Sequence, residues 1–130
     1  MQTMPFVRIT LATGTDDGAC ARVGDAVHHA LVSAANVPKD DLFQVVELLP
    51  PARLRVTPAY LGIDHSSDVA IVQVFLNAGR SVEVKKALYA AIAEGVAAAA
   101  GLRREDVVVS MVEVAKENWS FGSGLMSYPP

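Results

Sequence analysis

A chain of 130 residues, 52% hydrophobic and 19% charged, holds enough apolar side chain for one core and too little charge to stay unfolded, so one globular domain over 1–130 is expected. Its 11 Lys and Arg against 14 Asp and Glu give a formal charge of −3, and no basic run exceeds Arg103-Arg104, which argues against a nucleic-acid partner. One cysteine, Cys20, leaves no intrachain disulfide, and without a signal-like or membrane-spanning apolar stretch a cytoplasmic protein with no membrane partner is expected.

In chain order, Pro5–Leu11 alternates Val7, Ile9 and Leu11 with Phe6, Arg8 and Thr10, the period of a strand. Gly14-Thr15-Asp16-Asp17 signals a helix start, and Val23, Val27 and Leu31 recur on one helical face until Val37-Pro38 ends it. Residues 42–49 (LFQVVELL) predict a second strand, which Pro50-Pro51 stops, and 50–68 read as a long connection. The pattern then restarts. The apolar run 69–76 (VAIVQVFL) predicts a strand at the centre of a sheet. Ser81 can cap a helix whose buried stripe is Val84, Leu88, Ile92 and Val96, with Gly101 as its stop. Residues 107–114 (VVVSMVEV) predict the last strand, followed by a Gly-, Pro- and aromatic-rich tail over 115–130.

Two β-α-β units, 5–49 and 69–114, thus repeat, each helix long enough to cross between parallel strands. Val46-Glu47 in the first reads as the counterpart of Val112-Glu113 in the second. The predicted class is α+β, duplicated β-α-β units forming a four-stranded sheet with two helices on one face. The other face stays uncovered, and self-association is the economical way to cover it. The connection and the tail, the latter too apolar for a free end, are expected to line a site.

Two residues suggest chemistry by type and place. Proline at a chain terminus is a secondary amine able to take or give a proton near neutral pH, whereas Pro5 inside a chain is an amide that merely begins an edge strand. Arg80 falls between a buried strand and a helix N-terminus, where guanidinium and helix dipole together favour an anion such as a carboxylate. Gly79 beside it would let the backbone approach a ligand closely.

The beginning Met-Pro-Phe-Val-Arg-Ile, the stretch LNAGRSVEVKKALY at 76–89 and the stretch VEVAKENWSFG at 112–122 resemble the tautomerase superfamily, and within it the malonate semialdehyde decarboxylase-like proteins. The resemblance implies a tautomerase-like fold, a homotrimer with a pocket between subunits, a catalytic amino-terminal proline at Pro5, and action on a small keto or semialdehyde carboxylic acid. It also implies that Asp41, with Asp40 as the rival, orients a water molecule or bonds to the protonated proline, and that Trp119 and Phe121 wall the site. One branch of these decarboxylases carries two arginines spaced R-x-R, where this chain has Ala78 and Arg80.

Met4-Pro5 has the form that frees a terminal proline on removal of the methionine, and the other reading keeps residues 1–4 and gives up or changes the chemistry. In that second case the chain is a non-catalytic trimer that binds small acids. His28-His29 and His65 show no ligand spacing, and no phosphate-binding glycine pattern occurs, so neither metal nor cofactor is expected.

Overall fold

A computed structural model describes residues 5–128. Strand β1 (Phe6–Ala12) turns Val7, Ile9 and Leu11 into the core and Phe6, Arg8 and Thr10 to the opposite side, as strand alternation requires. Helix α1 (Asp17–Ala35) starts where the Asp16 carboxylate accepts a 2.7 Å hydrogen bond from the Ala19 amide. It stops at Asn36, left-handed at φ 56°, after which Val37 N–H donates to the Leu31 carbonyl at 3.2 Å. The stripe Val23, Val27 and Leu31 is fully buried.

Strand β2 (Gln44–Leu49) lies parallel to β1, with Gln44 beside Val7 and Val46 beside Ile9. It starts two residues later than the apolar run suggests, because Leu42 and Phe43 still belong to the approach from the turn at 38–41. The connection is more ordered than a plain loop. It contains a 3-10 turn at Pro51–Arg53 and a hairpin of β3 (Ala59–Tyr60) and β4 (Ile63–Asp64). The hairpin turns at Leu61-Gly62, with φ of 49° and 82°, as a two-residue loop between twisted strands prefers. Strands of two residues have no period to read, so the sequence conceals them.

Strand β5 (Ala70–Asn77) runs antiparallel to β1, with Val72 beside Ile9 and Val74 beside Val7. Helix α2 (Val82–Ala100) is capped by Ser81, which accepts from the Val84 amide at 3.2 Å, and ends at Gly101 with φ 67°. Strand β6 (Val107–Val114) is parallel to β5 and completes the sheet in the order β2-β1-β5-β6. Both helices cover the same face and pack on each other. A Cβ on Gly95 would stand 3.1 Å from the Ala26 Cβ, so a larger residue would push the helices apart. Between helices and sheet, Ile9, Leu11, Val27, Leu31, Val72, Val74, Leu88, Ile92 and Val96 form one contiguous core. Each such side chain contributes about 1.5–3 kcal/mol on burial, which makes this interface the main source of stability.

Asp106 is a buried acid outside that core, 1% exposed. It accepts from the amide and the hydroxyl of Ser66, each at 2.7 Å, and from Arg103 Nε and Nη2 at 3.0 and 3.2 Å. The end of the connection is thereby fastened to the start of β6.

The pairing of Val46-Glu47 with Val112-Glu113 does not survive in three dimensions. Glu47 lies on the face away from the helices, where Arg8 Nε meets it at 3.3 Å and Thr10 Oγ1 donates to it at 2.9 Å. Glu113 lies on the helix side, where Lys85 of α2 reaches it at 3.2 Å. The two dipeptides have opposite phase relative to the pleat, so similar sequence gives opposite faces.

Candidate active site

One end of the sheet gathers the starts of β1 and β2 and the ends of β5 and β6. Phe6 pairs with Phe75, so the next step places the buried Pro5 level with Leu76 and on the helix side with Val7. Met1–Met4, including Met4 as a possible start, lie outside the described residues. On the neighbouring strand, the Val7 amide donates to the Phe43 carbonyl at 2.9 Å, two residues after Asp41. Asp41 is half-buried and its amide closes a turn on the Pro38 carbonyl at 3.0 Å, while Asp40 is exposed. His28 Nε2 lies 2.6 Å from the Lys39 carbonyl oxygen, a bond in which the ring N–H donates and ties α1 to this turn.

Arg80 leaves the same end just after β5. Its Nη1 donates to the Asn77 carbonyl at 3.2 Å and its Nη2 to the Ala35 carbonyl at 3.3 Å, bridging the end of β5 and the end of α1. Nε is buried and makes no hydrogen bond among the described residues. Burial lowers the Arg80 pKa and the Glu113 carboxylate opposes that effect, and the guanidinium remains cationic. Glu113 is held below its ordinary value, first by its bond to Lys85 and then by the Gly79 amide, which donates to Oε2 at 3.4 Å. The turn adopts φ 126° at Gly79, a conformation that glycine alone takes readily.

The tail after β6 folds back over this end instead of leaving it. Trp119 Nε1 donates to Asn77 Oδ1 at 2.6 Å, and its indole stacks on Phe121 at a centroid distance of 5.0 Å. Phe121 in turn meets Phe43, ahead of the far edge strand, at 5.1 Å and Tyr128 at 6.0 Å. Because β6 and β2 are the two edges of the sheet, this contact carries the tail across all four strands. The segment is closed by Ser127, whose amide donates to the Trp119 carbonyl at 3.1 Å and whose Oγ accepts from the Phe121 amide at 2.9 Å.

Pro5, Asp41, Arg80, Trp119 and Phe121, far apart in sequence, thus lie toward one sheet end. Sequence reasoning assigns no site role to Phe43, Asn77, Glu113 or Tyr128. Asn77 is the one with a local signal, a polar residue closing an apolar run and buried at 4% exposure. Phe43 and Tyr128 acquire their neighbours only through the fold of the tail. A separate cavity of about 570 Å³, lined by Leu54, Arg55, Thr57, Ser66 and Val69, opens at the opposite sheet end and contains none of these residues. Among the described residues no cluster of three or more His, Cys, Asp or Glu is placed to hold a metal, and no helix is long and apolar enough to cross a membrane.

Profiles described as tautomerase enzyme match residues 41–122 and, for a second profile, 5–62. The chain is 33% identical over 121 residues to the probable tautomerase YusQ of Bacillus subtilis (strain 168), covering 93% of this chain and 95% of that one. Among solved structures it is similar to FG41 malonate semialdehyde decarboxylase inhibited by 3-bromopropiolate, at 36% identity and a TM-score of 0.87 over 95% of this chain and 93% of that one. A second malonate semialdehyde decarboxylase gives 30% identity and a TM-score of 0.83, with 93% of each chain covered. A fused 4-OT solved as a symmetric trimer gives 25% and 0.79, over 92% of this chain and 94% of that one. The repeated β-α-β frame, the residues gathered at its one end and these likenesses agree: the chain belongs to the tautomerase superfamily, in its malonate semialdehyde decarboxylase-like group.

Proposed function

We propose that this chain, working as one domain, is a cofactor-independent enzyme for small keto or semialdehyde carboxylic acids, in which Arg80 holds the substrate carboxylate and Pro5 moves the proton. The observation that carries this reading is the state of Arg80. Two backbone carbonyls fix its guanidinium at the sheet end that also holds Pro5, and each takes only one N–H of its nitrogen, which leaves a pair of N–H groups for a planar anion.

A neutral, terminal Pro5 would accept the enol hydroxyl proton and return a proton to carbon, a keto–enol tautomerisation with no net change in composition. A protonated Pro5 beside Asp41 would instead polarise the carbonyl of a β-keto acid. The carbon–carbon bond to the carboxylate then breaks, carbon dioxide leaves, and the electron pair left behind takes up a proton. Addition of water is the related outcome when Asp41 orients the water molecule. Trp119 and Phe121 would keep bulk water from this end and strengthen the charge interactions there. The second reading, a non-catalytic small-acid binder, is favoured by one fact of the sequence: with Met4 attached, the Pro5 nitrogen is an amide.

Arg80→Ala tests the clamp. Loss of a charge-assisted bidentate contact is expected to lower kcat/KM for phenylenolpyruvate or malonate semialdehyde by at least ~10²-fold, equivalent to ~2.7 kcal/mol. Unaltered turnover in a folded variant removes Arg80 from substrate binding.

We also propose that the working assembly is a homotrimer. On the face away from the helices, Val45 and Val112 remain 40% and 39% exposed, and the hairpin tip presents Leu61 at 86%. Apolar surface of this extent, on a chain with an uncovered sheet, fits burial against further copies. Sedimentation is expected to give three times the chain mass, and a stable monomer at micromolar concentration contradicts it.

A further inference from the structure

We infer that Glu113 restricts the site to a single carboxylate by holding Lys85 away from service as a second anion clamp. The inference rests on the reading of Arg80 given above and concerns which acids that site accepts.

The register sets Glu113 beside Leu76, with Pro5 level with Leu76 on its other side, so Pro5 and Glu113 share one row on the helix side of the sheet. Two strand spacings, about 10 Å, separate their backbones. Arg80 emerges between them from the end of β5, and Lys85 approaches from the first turns of α2. Each Glu113 oxygen is occupied. Oε1 takes Lys85 Nζ at 3.2 Å and Oε2 takes the Gly79 amide at 3.4 Å, so a single carboxylate anchors both the cation and the turn that carries Arg80. Lys85 and Arg80 differ in this respect. The ammonium bonds directly to the carboxylate, whereas the guanidinium bonds to neutral carbonyls and feels Glu113 only through space, which leaves it the less compensated of the two cations.

A substrate with one carboxylate needs only Arg80. One with two would place its second charge against a lysine already neutralised, close to the negative Glu113, and would be disfavoured by that like charge. Ala78 is consistent with this, since the chain lacks a second arginine in the turn itself. Replacing Glu113 by glutamine keeps an oxygen for the Gly79 amide, preserving the turn, while removing the charge that engages Lys85.

The test uses binding, so it does not depend on turnover. Trp119 is the single tryptophan and bonds to Asn77, the residue whose carbonyl also receives Arg80, which makes its fluorescence a reporter of this end. Butyrate and succinate, matched in carbon number, are titrated against the full chain. Glu113→Gln is expected to raise the affinity for succinate relative to butyrate by ~5-fold or more, since a freed ammonium adds a charge-assisted bond. Adding Lys85→Met to Glu113→Gln should return the ratio to its original value. A ratio unchanged by Glu113→Gln, or a gain that survives Lys85→Met, overturns the role of Glu113. Arg80→Ala separates the two levels. If it abolishes binding of both acids while the ratio ignores Glu113, the clamp stands and this inference falls; if both acids bind undiminished without Arg80, the clamp itself is wrong.

Discussion

A protein beginning at Pro5 is expected to turn over phenylenolpyruvate or malonate semialdehyde ~10²–10⁴-fold faster than the 130-residue chain, the usual span of a positioned general acid or base. The physical difference is one bond. Within the longer chain the Pro5 nitrogen is acylated by Met4 and has neither a proton to give nor a basic lone pair. Freed, it becomes a secondary amine that titrates near ~8 in water and moves lower in apolar surroundings or beside a cation. In the role proposed for it, Asp41 would act in the opposite direction by favouring the protonated amine. Removing residues 1–4 leaves β1 intact, since the strand begins at Phe6 and its register depends on residues from Phe6 onward. The fold should therefore be the same in both proteins, and the rate alone should differ. Equal rates, with the longer terminus confirmed intact by mass, take Pro5 out of the mechanism and leave Arg80 and Asp41 as binding residues.

A large effect on stability is expected at Asp106, at the sheet end opposite Pro5. Removing its carboxylate in Asp106→Ala leaves the Ser66 amide and hydroxyl without their acceptor. That loss should cost about 3 kcal/mol, read as a fall of roughly 10 °C in Tm. Arg103 is half-exposed and its charge well screened, so most of the loss belongs to Ser66. The effect carries a pH signature. Arg103 first, then the Ser66 hydroxyl and amide, hold the Asp106 carboxyl far below the usual carboxylate range, against the opposing effect of burial. A depressed folded pKa means stability that is complete above the unfolded value of about 4 and is lost as pH falls toward the folded one. The gap in stability between the native chain and Asp106→Asn should accordingly be constant from pH 7 to 5 and narrow below pH ~4. A gap that stays constant to pH 2 removes the ionised carboxylate as its source.

Much of the frame is legible without coordinates. Val23, Val27 and Leu31 repeat within one helix, Asp16 and Ser81 stand where caps are needed, and VVVSMVEV coincides with β6 from end to end. Such features depend on a few neighbouring residues, because the periods of helix and strand are local properties of the backbone. Even so, neighbouring residues mislead where phase matters, as Glu47 and Glu113 show by facing opposite sides.

The sequence by itself determined the two β-α-β units, their apolar stripes and caps, and the likeness to the tautomerase superfamily, since each lies in short runs of residue types. Only the tertiary structure decided what meets what. The antiparallel join of β1 with β5 brings Pro5 level with Leu76 and Glu113. The path of the tail places Phe121 on Phe43, and the end of the connection delivers Ser66 to Asp106. These pairs are separated by tens of residues, and their contact is set by strand order and register, which follow from burying both apolar helix stripes on one sheet face at once. No local pattern contains that constraint, because it acts on the whole core together.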